Sequence, residues 1–182
     1  MEVRKMGYNG NRGGYRDDRR DDRRDDRQQA PAGPFEKEIF ANSGKNLTET
    51  GKTRVQSAIV NGDPFTANEL AEGLIDVLSS KRFSKSQFGL VRNGITKVER
   101  SFTKKDATDA EHAVAVLDFK TGLIPIGIRH ANAGGGFLVT LITAAIEASI
   151  ITVENCKKID QKLFANFQTL MRYLTNHAVK LQ

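Results

Sequence analysis

The stretch from Gln87 to Ala131 constrains the fold most, because it sets two turn signals between apolar-rich runs. Gln87 to Arg92 and Ile95 to Phe102 flank Asn93-Gly94. That pair tolerates positive φ at both positions and suits a type I′ hairpin turn. His112 to Phe119 and Leu123 to His130 flank Lys120-Thr121-Gly122. On an extended strand Ile124, Ile126 and Ile128 share one face, with Leu123, Pro125, Gly127 and Arg129 on the other. The pattern predicts two consecutive antiparallel hairpins, forming a sheet with one apolar face and one open face.

The flanking segments supply further strands and the helices to cover that sheet. Phe35 to Phe40 and Arg54 to Val60 are expected as strands, the second ended by Asn61-Gly62-Asp63-Pro64. Thr66-Ala-Asn-Glu69 has the form of a capping box, with Phe65 and Leu70 placed as a hydrophobic staple. Leu70, Leu74, Val77 and Leu78 then make a one-faced stripe, predicting a helix from about Ala67 to Lys81. Phe137 to Val153 is expected as a buried helix; it is short for a bilayer span and contains Glu147. Lys157 to Val179 carries Ile159, Leu163, Phe167, Leu170, Met171 and Leu174 at helical spacing. The expected class is α+β: an antiparallel β-hairpin sheet packed against helices over residues 35–182, behind a disordered tail.

That tail, residues 1–34, is of low complexity. Gly7 to Arg16 has the Gly/Arg/Tyr character of RGG-type RNA-binding segments, and Arg16 to Arg27 repeats two acids and two bases. Nothing in it can bury a core. Its nine cations and seven acids leave +2 of the whole chain's +6, so the repeat nearly neutralises itself. Arg12, Arg16, Arg19, Arg20, Arg23, Arg24 and Arg27 are candidates for weak, salt-sensitive contacts to an acidic polymer. A solubilising spacer is the other reading of the same composition. Ala30-Pro-Ala-Gly-Pro34 is expected as a linker.

The overall balance, with a sequence pI of 9.5, favours RNA, DNA or another acidic partner. One cysteine, Cys156, forbids an intrachain disulfide and suits a reducing compartment, so an intracellular, cytoplasmic setting without a membrane is expected. The first residues lack the apolar segment of a signal peptide.

Enzyme templates find no match. Cys156 has no histidine near it in sequence, and His112, His130 and His177 are widely scattered. Asp109, Glu111 and His112 have metal-ligand chemistry, but Glu111 and His112 diverge on a strand. No P-loop and no Gly-x-Ser-x-Gly elbow occurs, and Gly134-Gly135-Gly136 lacks the spacing of a nucleotide loop. The expectation is therefore non-enzymatic, with no cofactor and no metal.

What remains is a constellation of cations around the hairpins: Arg92, Lys97, Arg100, Lys104, Lys105, Lys120, Arg129 and His130. Lys52 and Arg54 extend it from the segment before. Phosphate binding needs several cations along one track, and base stacking needs aromatics beside them; Phe88, Phe102 and Phe119 are interleaved. On an ideal strand, however, Lys97 and Arg100 point to opposite faces.

The predicted order of strands, capped helix, two hairpins and C-terminal helices resembles the Whirly arrangement of single-stranded nucleic-acid-binding proteins, over about Phe35 to Gln182. Such proteins occur in plant organelles, kinetoplastid mitochondria and large nucleus-forming bacteriophages. The plant signature Lys-Gly-Lys-Ala-Ala-Leu does not occur; Gly51-Lys52-Thr53-Arg54 is faintly reminiscent of it. The resemblance implies a basic sheet surface that binds single-stranded RNA or DNA and subunits that assemble as a homo-oligomer. RNA is favoured over DNA by the tail. The alternative is a viral capsid or nucleocapsid protein whose tail is an internal genome-binding arm.

Overall fold

The computed structural model describes residues 32–153 and 156–182. Among the described residues, seven α-helices carry the architecture: α1 (Pro34–Ile39), α2 (Glu49–Ile59), α3 (Pro64–Ser80), α4 (Lys85–Thr103), α5 (Asp109–Arg129), α6 (Gly135–Ala148) and α7 (Gln161–His177). Two small antiparallel pairs join them. β1 (Phe40–Ala41) pairs with β2 (Asn46–Leu47). β3 (Ile150–Val153) pairs with β4 (Cys156–Ile159), with Ile150 opposite Ile159. The chain is thus α+β in the coarse sense only, with helices dominant.

The two predicted hairpins are the helices α4 and α5, which correct the sheet expectation. Each helix starts with a complete capping box: Ser84 with Gln87 for α4, and Thr108 with Glu111 for α5. In each, the hydroxyl accepts the backbone N–H three residues on, and the Gln or Glu side chain accepts the cap's own N–H. Phe88, Val91, Ile95 and Val98 then fall on one helical face and are buried. Asn93-Gly94 therefore lies in mid-helix. Gly94 is there for packing, since a Cβ would come within 2.6 Å of the Phe119 ring on α5. Pro125 sits on an exposed side of α5. The strands that carried the Whirly-like element order are accordingly helical.

Other boundaries shift for local reasons. Phe35 to Ile39 belongs to α1, opened by Pro34 at its first position, where the missing N–H costs nothing. Arg54 to Ile59 belongs to α2, capped by the Thr48 hydroxyl, which accepts from Gly51 N–H at 3.0 Å. The helix expected from Ala67 begins earlier, because Asp63 caps it and Pro64 leads it. Thr66 instead donates to Asp63 at 2.5 Å, Glu69 pairs with Arg54, and Phe65 is 80% exposed, so no staple forms. The stripe of Leu70, Leu74, Val77 and Leu78 is buried as its spacing predicts. The helix expected over 137–153 stops at Ala148 and gives way to β3, and Asp160 caps α7 only after β4.

The core lies where α3 packs along α7, with α2 and α6 closing around them. Leu70, Leu74 and Leu78 meet Phe164, Phe167, Leu170 and Leu174 in one buried cluster that continues into Leu138, Leu141 and Ile142 of α6. α4 and α5 form a helical hairpin on this body, α5 flanked by α4 on one side and α6 on the other.

Gly51, one turn into α2, faces the Ile39 backbone so closely that a methyl group would collide with the carbonyl oxygen. Gly51→Ala is expected to lower stability by roughly 1–3 kcal/mol, against its better helix propensity. Gly89 on α4 has open space around it, and Gly89→Ala is expected to raise stability by about 0.5–1 kcal/mol. Urea unfolding of the two variants side by side checks both signs.

Candidate nucleic-acid interface

α4 sorts its residues into two opposed faces. Phe88, Val91, Ile95 and Val98 point into the body. At about 100° per residue, Lys85, Arg92, Lys97, Arg100 and Lys104 fall within an arc of roughly 140° on the other side. All five are exposed. The row is about 28 Å long at 1.5 Å per residue, enough to follow several phosphates. Lys97 and Arg100, opposed on a strand, are neighbours on one helical face because i and i+3 coincide there. Asn93 and Thr96 stand among them, and among the described residues no acid pairs with Lys85, Arg92, Lys97 or Arg100.

Both ends of α4 are tied down. At its start, Gln87 Nε2 donates to His130 Nδ1 at 2.9 Å, joining the N-terminal turn of α4 to the C-terminal end of α5. The Lys85 N–H donates to the Gln182 carbonyl at 3.1 Å. At its far end Phe102 is sandwiched between His112 of α5 and Phe164 of α7, with ring centroids 4.1 and 4.0 Å away. Lys104 reaches Glu111 at 3.2 Å across the α4–α5 turn. Glu111 is held below the ordinary carboxylate range, first by the Thr108 backbone N–H and then by Lys104.

The remaining sequence candidates separate from this row. Lys105 is exposed in the α4–α5 turn, and Arg129 is exposed at the end of α5 beside the start of α4. Lys52 pairs with Glu49 at 2.6 Å on α2. Arg54, less exposed, lies between Glu38 at 3.3 Å and Glu69, so it clips α2 to α1 and α3 and is spent on the fold. Lys120 is turned to Glu147 at 2.6 Å. The tail candidates Arg12, Arg16, Arg19, Arg20, Arg23, Arg24 and Arg27 lie outside the described residues.

The aromatic part of the expectation is corrected. Phe88 and Phe119 are buried, and Phe102 is stacked in the sandwich, so none is presented to a base. The α4 face is a cationic surface without a stacking platform. His112 is turned into the core, its Nε2 lacking a partner among the described residues, while Asp109 and Glu111 face solvent. The glycine run before α6 serves close packing: a Cβ on Gly135 would stand 3.0 Å from the Ile126 and His130 carbonyl oxygens. Lys85 is not among the sequence candidates; the Ser84–Gln87 capping box, which starts α4 at Lys85, is the signal that places it on the row.

Among the described residues no helix is long and apolar enough to cross a membrane. Comparison of the chain with protein families, curated proteins and solved structures finds no match.

The lowered Glu111 value makes a pH prediction. Its contribution to stability is complete above the unfolded value, near 4.3, and is lost as pH falls through the lower folded value. Glu111→Gln is expected to remove this share of the acid sensitivity, flattening the curve below about pH 4.5. Denaturant midpoints measured between pH 3 and 7 for both chains check it.

Proposed function

We propose that this chain is a non-enzymatic, single-stranded nucleic-acid-binding protein, RNA favoured over DNA, that holds the phosphate backbone on the exposed face of α4. The observation that carries this reading is the cationic row Lys85, Arg92, Lys97 and Arg100, without acidic partners among the described residues, on a helix fixed at both ends. A helix already fixed at both ends needs no ordering of its backbone on contact, which favours binding. Lys104, Lys105 and Arg129 extend the row at its margins. With no aromatic side chain on the face, contact is to phosphate and is tolerant of sequence. The Arg/Tyr-containing tail adds stacking on unpaired bases and weak charge contacts, and this is what favours single strands and RNA. The working compartment in this reading is intracellular, in line with the single cysteine.

Fluorescence anisotropy of a labelled mixed-sequence RNA, titrated with the full chain, tests the reading. The triple variant Arg92→Ala, Lys97→Ala, Arg100→Ala is expected to bind at least roughly tenfold more weakly at low salt. Its log K against log salt slope is expected to be shallower by about 2, from three lost single-strand contacts. Lys52→Ala, on α2, is expected to bind as the parent does. A triple variant indistinguishable from the parent would sink the α4 interface. Equal affinity for duplex DNA would remove the single-strand preference.

A further inference from the structure

α5 is apolar on two opposite sides, and the body of the protein uses only one. His112, Val116, Phe119 and Leu123 are buried. On the far side Val114, Leu117, Ile124 and Ile128 are 57, 53, 54 and 73% exposed. With Thr121 they recur at steps of three, four, three and four residues, the seam spacing of helices that pair with another helix. The strip is about 21 Å long, at 1.5 Å per residue. A helix that is apolar all round is ordinarily buried all round.

We propose that this strip docks a second copy of the chain, α5 against α5 in antiparallel orientation, about a two-fold axis beside Thr121. The spacing is self-complementary about that residue. Val114 of one copy meets Ile128 of the other, and Leu117 meets Ile124, as an isologous contact requires. The flanking charges agree. Glu111 and Arg129 lie on the same flank of the strip, one at each end of α5. Antiparallel pairing keeps this flank on one side of the pair and brings Glu111 of one copy beside Arg129 of the other, whereas parallel pairing puts the two flanks on opposite sides and leaves both charges without that partner. A cleft of ≈ 350 Å³ between α4 and α5, lined by Leu90, Ala115, Phe119 and Leu123 among others, opens beside the strip.

Sedimentation equilibrium of the full chain, without nucleic acid, tests the proposal independently of the binding function. A reversible dimer is expected. Leu117→Glu with Ile124→Glu is expected to sediment as a monomer while keeping the parent's helical circular dichroism and thermal midpoint, because both side chains face water in the single chain. Thr121→Cys, in a Cys156→Ser background, is expected to form a symmetric disulfide under mild oxidation. Mixed Val114→Cys and Ile128→Cys chains are expected to cross-link to each other rather than to themselves. A parent that stays monomeric at tens of micromolar overturns the proposal and assigns the strip to a different macromolecule. A dimer indifferent to the two glutamates assigns pairing to another face. Self-cross-linking of Val114→Cys would make the pair parallel and overturn the two-fold arrangement.

Discussion

The stacking of Phe102 between His112 and Phe164 ties the α4–α5 hairpin to the rest of the protein. Phe164 belongs to the α3–α7 core, His112 to the first turn of α5, and Phe102 to the last turn of α4. The consecutive helices α4 and α5 and the sequence-distant α7 are therefore registered by one column of flat rings. The column also accounts for a buried histidine. His112 gives up solvent at its Nε2 for a face-to-face contact with the Phe102 ring. At the other end of the hairpin the tie is polar, through Gln87, His130 and the Gln182 carbonyl. A helix anchored at both ends by different means presents its outer face as a rigid surface.

The hairpin is close-packed as well as anchored. Gly94 lets the Phe119 ring lie directly on the α4 backbone, and Gly135 lets α6 start against the last carbonyls of α5. These contacts explain why a segment with glycines, an asparagine and a proline remains helical. Each such residue costs up to about 1 kcal/mol in an isolated helix, and proline more. Burial of Val91, Ile95, Val98, Val116 and Leu123 offsets those costs. Propensity is a weak prior where tertiary contacts select the conformation.

That balance also marks what could be seen in the chain beforehand. The stripes of α3 and α7 were legible because their apolar positions keep helical spacing and few breakers interrupt them. α4 and α5 were not, because Asn93-Gly94 and the alternating isoleucines at 124, 126 and 128 imitate hairpin chemistry over short windows. The opposing evidence was present: Ser84-x-x-Gln87 and Thr108-x-x-Glu111 have the same form as Thr66-x-x-Glu69, and both are real caps. Thr66-x-x-Glu69, the one trusted beforehand, is not, since Asp63-Pro64 starts the helix one turn earlier. The cations of the candidate site were identifiable as residue types. Their arrangement was not, because the face that a side chain occupies depends on the period of the element carrying it. A strand separates Lys97 from Arg100, and a helix joins them.

The two surfaces proposed for this chain lie on the same hairpin, and that placement has a thermodynamic consequence. Pairing through α5 carries two α4 faces on one particle. A single strand long enough to touch both then makes its second contact at an effective concentration set by the particle and not by bulk protein. Linkage makes the benefit mutual. Whatever factor pairing adds to nucleic-acid affinity, the bound strand adds to the pairing equilibrium. A nucleic acid too short to bridge gains nothing by this route, because it interacts equally with paired and single chains. Length discrimination would then arise without any contact that measures length, from a cationic face that is weak alone and an apolar strip that doubles it.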